Sequence, residues 1–189
     1  LISPRALVIS IAAGIPTAAL SAWLPAAVAI VRAMPNTPAL IGAGISGAFA
    51  SSTASASQRQ DADDVLSAAG EVIWVDDERQ LDAVTAVSGS GPAYVFYLIE
   101  ALEAAALAQG LDAGTSRRLA LATFAGASRL ASGAQEAPSR LREQVTSKGG
   151  TTQAALDSLG ADDVAGALKR AVAKARARAE ELGRAYFPS

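Results

Sequence analysis

The chain has 189 residues, 51% of them hydrophobic, a formal charge of −2 and a pI near 5.2; that is apolar mass enough for a real core, and no electrostatic footprint for nucleic acid. Cysteine and histidine are both absent, which excludes a disulfide framework, a thiol nucleophile, a histidine base and a Cys/His metal site within these residues. Chemistry must use hydroxyls, carboxylates, lysines, backbone donors or a bound cofactor.

The run LVISI at residues 7–11 is continuously apolar, as expected of a parallel strand buried on both faces. A small-residue turn follows at Ala12, Ala13 and Gly14, then a short helix over 17–23, stopped before Pro25. Residues 28–34 read as a second buried strand, and strand, helix, strand argues for α/β architecture. Pro35, Asn36, Thr37 and Pro38 make a bent, rigid loop at the end of that strand, where ligands of open α/β sheets bind. Residues 42–47 spell G-x-G-x-x-G, but Pro38 lies just upstream and no helical stripe follows, so the spacing does not predict a dinucleotide fingerprint. A helix is expected over 57–69, capped by Ser57, closed by Gly70 and burying Val65, Leu66 and Ala69; a strand follows over 71–75. From Asp77 the pattern becomes helical, with Leu81, Val84 and Val87 at three-residue spacing, and strands cease. The domain boundary is expected near Asp82.

Everything beyond it reads as helix. Pro92 suits a first helical position and Gly110 the residue just past an end. The segment 93–109 between them is apolar on nearly every side, which implies burial all round, either in a large core or against another subunit, and in so small a domain the second is favoured. A second helix is expected over 116–130 with Leu119, Thr123, Gly126 and Leu130 on one stripe, a third from Pro138 to about Val145, and a last one over 162–183. In that last helix Lys169, Arg170, Lys174, Arg176 and Arg178 form a solvated face opposite Val164, Leu168, Ala171, Ala175 and Leu182, which argues against DNA binding. No stretch has signal-peptide form, and Glu100 and Glu103 would sit deep in a bilayer if the apolar run spanned one. A soluble, cytoplasmic protein is expected.

The segment VTSKGGTTQAAL at 145–156 reads as a tight loop entering a helix. Paired glycines let a ligand approach the main chain, flanking hydroxyls can cap the helix, and the free N–H groups of its first turn suit a small anion. An ordinary capped helix start has the same local chemistry.

This segment resembles the signature of pyrroline-5-carboxylate reductase, which reduces a cyclic imine to L-proline. RAMPNTP at 32–38 resembles that family's segment at the nicotinamide end of the cofactor site, and SGSGPAY at 88–94 the start of its long dimerisation helix. The resemblance covers nearly the whole chain. It implies the C-terminal part of a Rossmann-like NAD(P)-binding domain over residues 1–82, followed by an all-helical dimerisation and substrate-binding domain over 83–189. It implies NADPH or NADH as cofactor, met by Ala12, Ala13, Met34 and Asn36, and a homodimer or higher homo-oligomer without nucleic acid or membrane. It implies that the substrate carboxylate is held by Ser147, Gly149, Gly150 and Thr151, and that Thr152 acts on the imine nitrogen as the catalytic residue. Lys148 departs from the family pattern, where proline often stands, and is read as pointing to water. Glu136 near the same pocket is read as a solvated charge. The glycine-rich phosphate loop of full-length members has no counterpart here, so this polypeptide alone is expected to bind NADPH poorly. Two alternatives stand beside the reductase: a non-catalytic oligomerisation fragment, and a related hydroxy-acid dehydrogenase with a helical C-terminal domain. The absent histidine weighs against the dehydrogenase.

Overall fold

The computed structural model describes residues 3, 6–25 and 28–186. Strand β1 (Leu7–Ser10), helix α1 (Thr17–Trp23) and strand β2 (Ala29–Met34) form the expected strand–helix–strand unit, with Leu7 opposite Ala29 in a parallel pair. Ala29, Ile30, Val31 and Ala33 of β2 are all buried, as a continuous apolar run requires of a strand covered on both faces. A 3₁₀ turn (Thr37–Ile41), pre-bent by Pro38, then reverses the chain into β3 (Gly44–Ala50), which pairs antiparallel with β2. Two glycines of the G-x-G-x-x-G spelling, Gly44 and Gly47, thus lie inside a strand. No helix opens there to receive a pyrophosphate.

Helix α2 (Ala56–Ser67) crosses to β4 (Gly70–Trp74), which lies parallel to β3 and completes a sheet in the order β1-β2-β3-β4. The cap of α2 is Ser55, not Ser57: the Ser55 hydroxyl accepts the Gln58 N–H, and the Gln58 side chain accepts the Ser55 N–H. Ser57 has Gln60 at the same spacing, but the Gln60 amide donates to Asp64 at 2.9 Å, and the reciprocal pair forms at Ser55. The buried side is correspondingly Ala62 and Leu66, one turn apart; Val65 is 61% exposed, contrary to expectation. Leu66 joins Val31, Ala33, Ala48 and Ala62 in the core, with Ile9, Val72 and Trp74 packed around it. The Trp74 indole N–H donates to Asp63 at 2.7 Å, and the Arg59 guanidinium lies 4.4 Å from the ring centre.

Helix α3 (Gln80–Val84) passes into one π-type turn (Thr85–Gly89) before α4 (Gly91–Ala108). The wide turn shifts the apolar stripe by one residue. Leu81 and Ala86 are buried, five apart, and Val87, expected on the same face, is exposed.

Packing divides the chain into two compact units: residues up to Pro92 together with those from Arg170 onward, and the segment Ala93–Lys169. The second unit holds most of α4, then α5 (Ala113–Gly133), capped by the Asp112 carboxylate accepting the Thr115 N–H. It continues with α6 (Pro138–Gln144), α7 (Thr151–Ala161) and the start of α8 (Val164–Tyr186), where Asp163 accepts the Gly166 N–H. Only Ser116 and Ala120 of this unit are buried among the described residues. Helix α4 has no buried residue at all, and Phe96 and Tyr97 are 64% and 72% exposed. The expected Leu119–Leu130 stripe of α5 is likewise bare. On length and composition alone Gln80–Ala108 would be able to cross a membrane. The same properties suit a helix covered by a second protein surface.

The two kinds of contact on α2 separate by size. Leu66→Ala should cost about 2–5 kcal/mol of stability and Ser55→Ala about 1 kcal/mol, read from urea unfolding of each variant.

Candidate active site

The loop between α6 and α7 takes the form expected of residues 145–156, with one difference in how the helix begins. Gly149 sits at φ 72°, a left-handed conformation that glycine adopts without strain. Gly150 is the N-cap of α7, and no hydroxyl caps the helix. The Thr146 hydroxyl instead donates back to the Arg142 carbonyl at 2.6 Å, closing α6. The Gly150 N–H donates to the Ser147 carbonyl at 3.0 Å, so it is not available to an anion. The N–H groups of Thr151, Thr152 and Gln153 meet no backbone acceptor among the described residues, as the first turn of a helix without a side-chain cap must leave them. Ser147, Gly149 and Thr151 are exposed and Thr152 is half-buried. A Cβ on Gly150 would stand 2.5 Å from the Ser147 hydroxyl oxygen, so the two residues share one tight corner. The result is a small, open patch of donors with two hydroxyl groups beside it and the positive end of a helix behind it.

A cavity of about 600 Å³ lies on another side of the same helices, lined by Arg142, Thr146, Gln153, Leu156, Leu159 and Val164. None of Ser147, Gly149, Gly150, Thr151 or Thr152 lines it. Its walls are largely apolar, whereas the donor patch is the place where an anion's charge would be met. Lys148 is exposed.

In the first unit, the parallel pair β1 and β2 ends beside two short loops, one starting at Ala12 and Ala13 and the other running from Met34 into Asn36. The Asn36 side-chain oxygen accepts the Ile45 N–H at 3.0 Å, which pins this loop to the start of β3 and leaves the amide nitrogen to donate elsewhere. The end of the Met34 side chain lies over Gly89. Ala12 and Ala13 present only methyl groups. Behind these loops Arg32, 94% buried in β2, pairs with Glu78 at 3.1 Å, and Glu78 also accepts from Thr17. A cavity of about 470 Å³ adjoins this pair, lined further by Gly14, Asp82, Arg176 and Glu180.

Residues 78–182 match the family described as pyrroline-5-carboxylate reductase dimerisation. The chain belongs to the pyrroline-5-carboxylate reductase family. It is 47% identical over 181 residues to the pyrroline-5-carboxylate reductase of Pseudomonas aeruginosa, a match covering 96% of this chain and 66% of that protein. It is 42% identical to the one from Corynebacterium melassecola, covering 96% and 67%. Among solved structures it resembles a pyrroline-5-carboxylate reductase from Coxiella burnetii (TM-score 0.89, 43% identity, 93% of this chain and 65% of that one). It also resembles the Plasmodium falciparum pyrroline carboxylate reductase with NADP bound (TM-score 0.87, 29% identity, 94% and 71%). The chain thus spans about two thirds of the length of the relatives it matches. A Rossmann-like part followed by a helical dimerisation domain is the architecture of the reductase family, and it is the order of elements found here.

A nicotinamide group suits the residues of the first unit. It needs a flat apolar surface and one or two polar contacts for its amide, and methyl-bearing Ala12 and Ala13 with the free Asn36 amide nitrogen offer both. Sequence reading passed over Thr17, Arg32 and Glu78. One signal was available: an arginine inside the run AIVRAM is a charge in a strand otherwise destined for burial, and such a charge demands a carboxylate somewhere in the chain.

Asp82, in the same cavity, is held above its ordinary value of 3.8, first by burial; Glu180 and Glu78 push the same way, and Arg32 and Arg176 oppose them. A carboxylate raised in the folded state favours folding below its unfolded value and ceases to do so as pH rises through the raised one. Asp82→Asn should therefore be more stable than the parent at pH 7, and the gain should vanish below about pH 3.8, in paired urea unfolding curves.

Proposed function

We propose that the protein is a pyrroline-5-carboxylate reductase, reducing 1-pyrroline-5-carboxylate to L-proline with NADPH or NADH, the last step of proline formation. The observation that carries this reading is the row of unpaired N–H groups at Thr151, Thr152 and Gln153, set behind the Gly149–Gly150 corner in a chain of this family. In this reading residues 1–82 are the C-terminal part of the NAD(P)-binding domain and residues 83–189 are the dimerisation and substrate-binding domain. The NADP held by the Plasmodium falciparum relative supports the cofactor class.

The substrate's two polar ends call for different partners. Its carboxylate suits the N–H groups of Thr151 and Gln153 with the Ser147 hydroxyl beside them, a site that functions without a charged side chain. Gly149 contributes the backbone turn, and Gly150 keeps the corner clear. The Thr152 hydroxyl donates to the imine nitrogen, and as that nitrogen takes up a proton the adjacent carbon becomes the better hydride acceptor. Water then returns a proton to the Thr152 oxygen. Bound reduced nicotinamide would supply the hydride, with Ala12, Ala13, Met34 and Asn36 around its ring. Because threonine is a poor acid, most of the acceleration falls to positioning.

The protein would act as a homodimer or larger homo-oligomer formed through its helical unit, in the cytoplasm. The bare faces of α4 and α5 support that assembly, and a net charge of −2 gives no reason to invoke nucleic acid.

The test is proline formation by the natively encoded protein. Thr152→Ala should lower kcat about a hundredfold while Thr152→Ser keeps most of it, since the hydroxyl is the working group. A parent protein that forms no proline with either cofactor, or a Thr152→Ala variant as fast as the parent, would overturn the reading.

A further inference from the structure

Arg32 places a guanidinium in the middle of a buried strand, and Glu78 meets it at 3.1 Å. Neutralising that charge would need nothing more, yet the same carboxylate also accepts the Thr17 N–H at 2.7 Å and the Thr17 hydroxyl at 2.6 Å. With side chains only 8% and 21% exposed, Arg32 and Glu78 make these bonds largely out of water, where charge-assisted contacts are strong. Sequence separations of 61 residues to Thr17 and 46 to Arg32 mean that three remote segments meet at one group. Two of those segments carry the residues assigned to the nicotinamide. Thr17 ends the loop that begins at Ala12 and Ala13, and Arg32 lies on β2 just before Met34 and Asn36.

We propose that Glu78 is a positioning residue, fixing the spacing between the loop at Ala12 and the loop at Asn36 and with it the seat of the nicotinamide ring. It touches neither substrate nor cofactor; it acts by holding the two loops that do. The alternative is a purely structural ion pair, which would stabilise the whole unit without regard to one end of a ligand. The inference rests on the cofactor assignment made above, so its test separates the two.

Glu78→Ala removes all three bonds, whereas Thr17→Val removes the hydroxyl bond and keeps both the N–H bond and the ion pair. In the natively encoded protein, Kd is measured for a reduced nicotinamide dinucleotide and for the matching ADP-ribose half, which lacks the nicotinamide. Affinity for the dinucleotide should fall about tenfold in Glu78→Ala and about threefold in Thr17→Val, with affinity for the ADP-ribose half unchanged. Without cofactor, hydrogen exchange at the Thr17 amide and through residues 12–15 should quicken in Glu78→Ala. The Glu78→Gln variant, which keeps an acceptor oxygen, should recover part of the dinucleotide affinity. Equal weakening of both ligands, or of neither, overturns the inference while leaving the function intact. A parent protein that binds neither ligand overturns both. If Glu78→Ala does not fold, the ratio of the two affinities in Thr17→Val decides in the same way.

Discussion

The second unit has no interior of its own. Two small residues, Ser116 and Ala120, are all that it buries among the described residues, and its apolar helix α4 buries none, with Tyr94, Ile99, Glu103 and Ala106 only half-buried. Apolar burial is what offsets the entropy of ordering a chain, at roughly 25 cal/mol for each Å² removed from water, and this unit removes very little by itself. A segment of this kind gains stability when another surface covers it. Membership of a dimerisation family gives that constraint a physical reason: the apolar residues of α4 are placed for another surface.

The first unit is built by the opposite rule. Its sheet is short, but β2 is buried on both faces and carries the chain from the core directly into the loop at Asn36. A rigid strand that ends in a proline-bent loop holds a ligand contact better than a long flexible segment does. Glu78 extends that rigidity sideways to the neighbouring loop. The donor patch of α7 relies on a different device, a helix start left without a side-chain cap. In the function proposed above, the missing hydrogen bonds are themselves the binding feature.

Much of this was legible in the sequence because local chemistry decided it. The end of α1 before Pro25 and the lack of a phosphate-binding helix after the G-x-G-x-x-G spelling follow from neighbouring residues alone. So does the glycine corner before α7. Misreadings arose where two local signals competed. Ser55 and Ser57 both look like caps, each with a glutamine three residues on, and only the folded contacts, Gln58 with Ser55 and Gln60 with Asp64, decide between them. The π-type turn at Thr85–Gly89 moved Val87 off the buried face, and regular three-residue spacing gave no warning of it. What lay beyond local reading was the meeting of Thr17, Arg32 and Glu78, since nothing near any of the three names the others. Burial of α4 was legible as a need, and the single chain does not meet it.

The chain's two tryptophans, Trp23 on α1 and Trp74 on β4, both belong to the first unit. Indole emission, with Trp74 held by Asp63 and stacked on Arg59, therefore reports on that unit alone. Melting of the helices between Ala93 and Lys169 would be optically silent in that channel and visible in far-ultraviolet circular dichroism. A disagreement between the two signals would thus be a property of where the chromophores lie, and a means of watching each half separately.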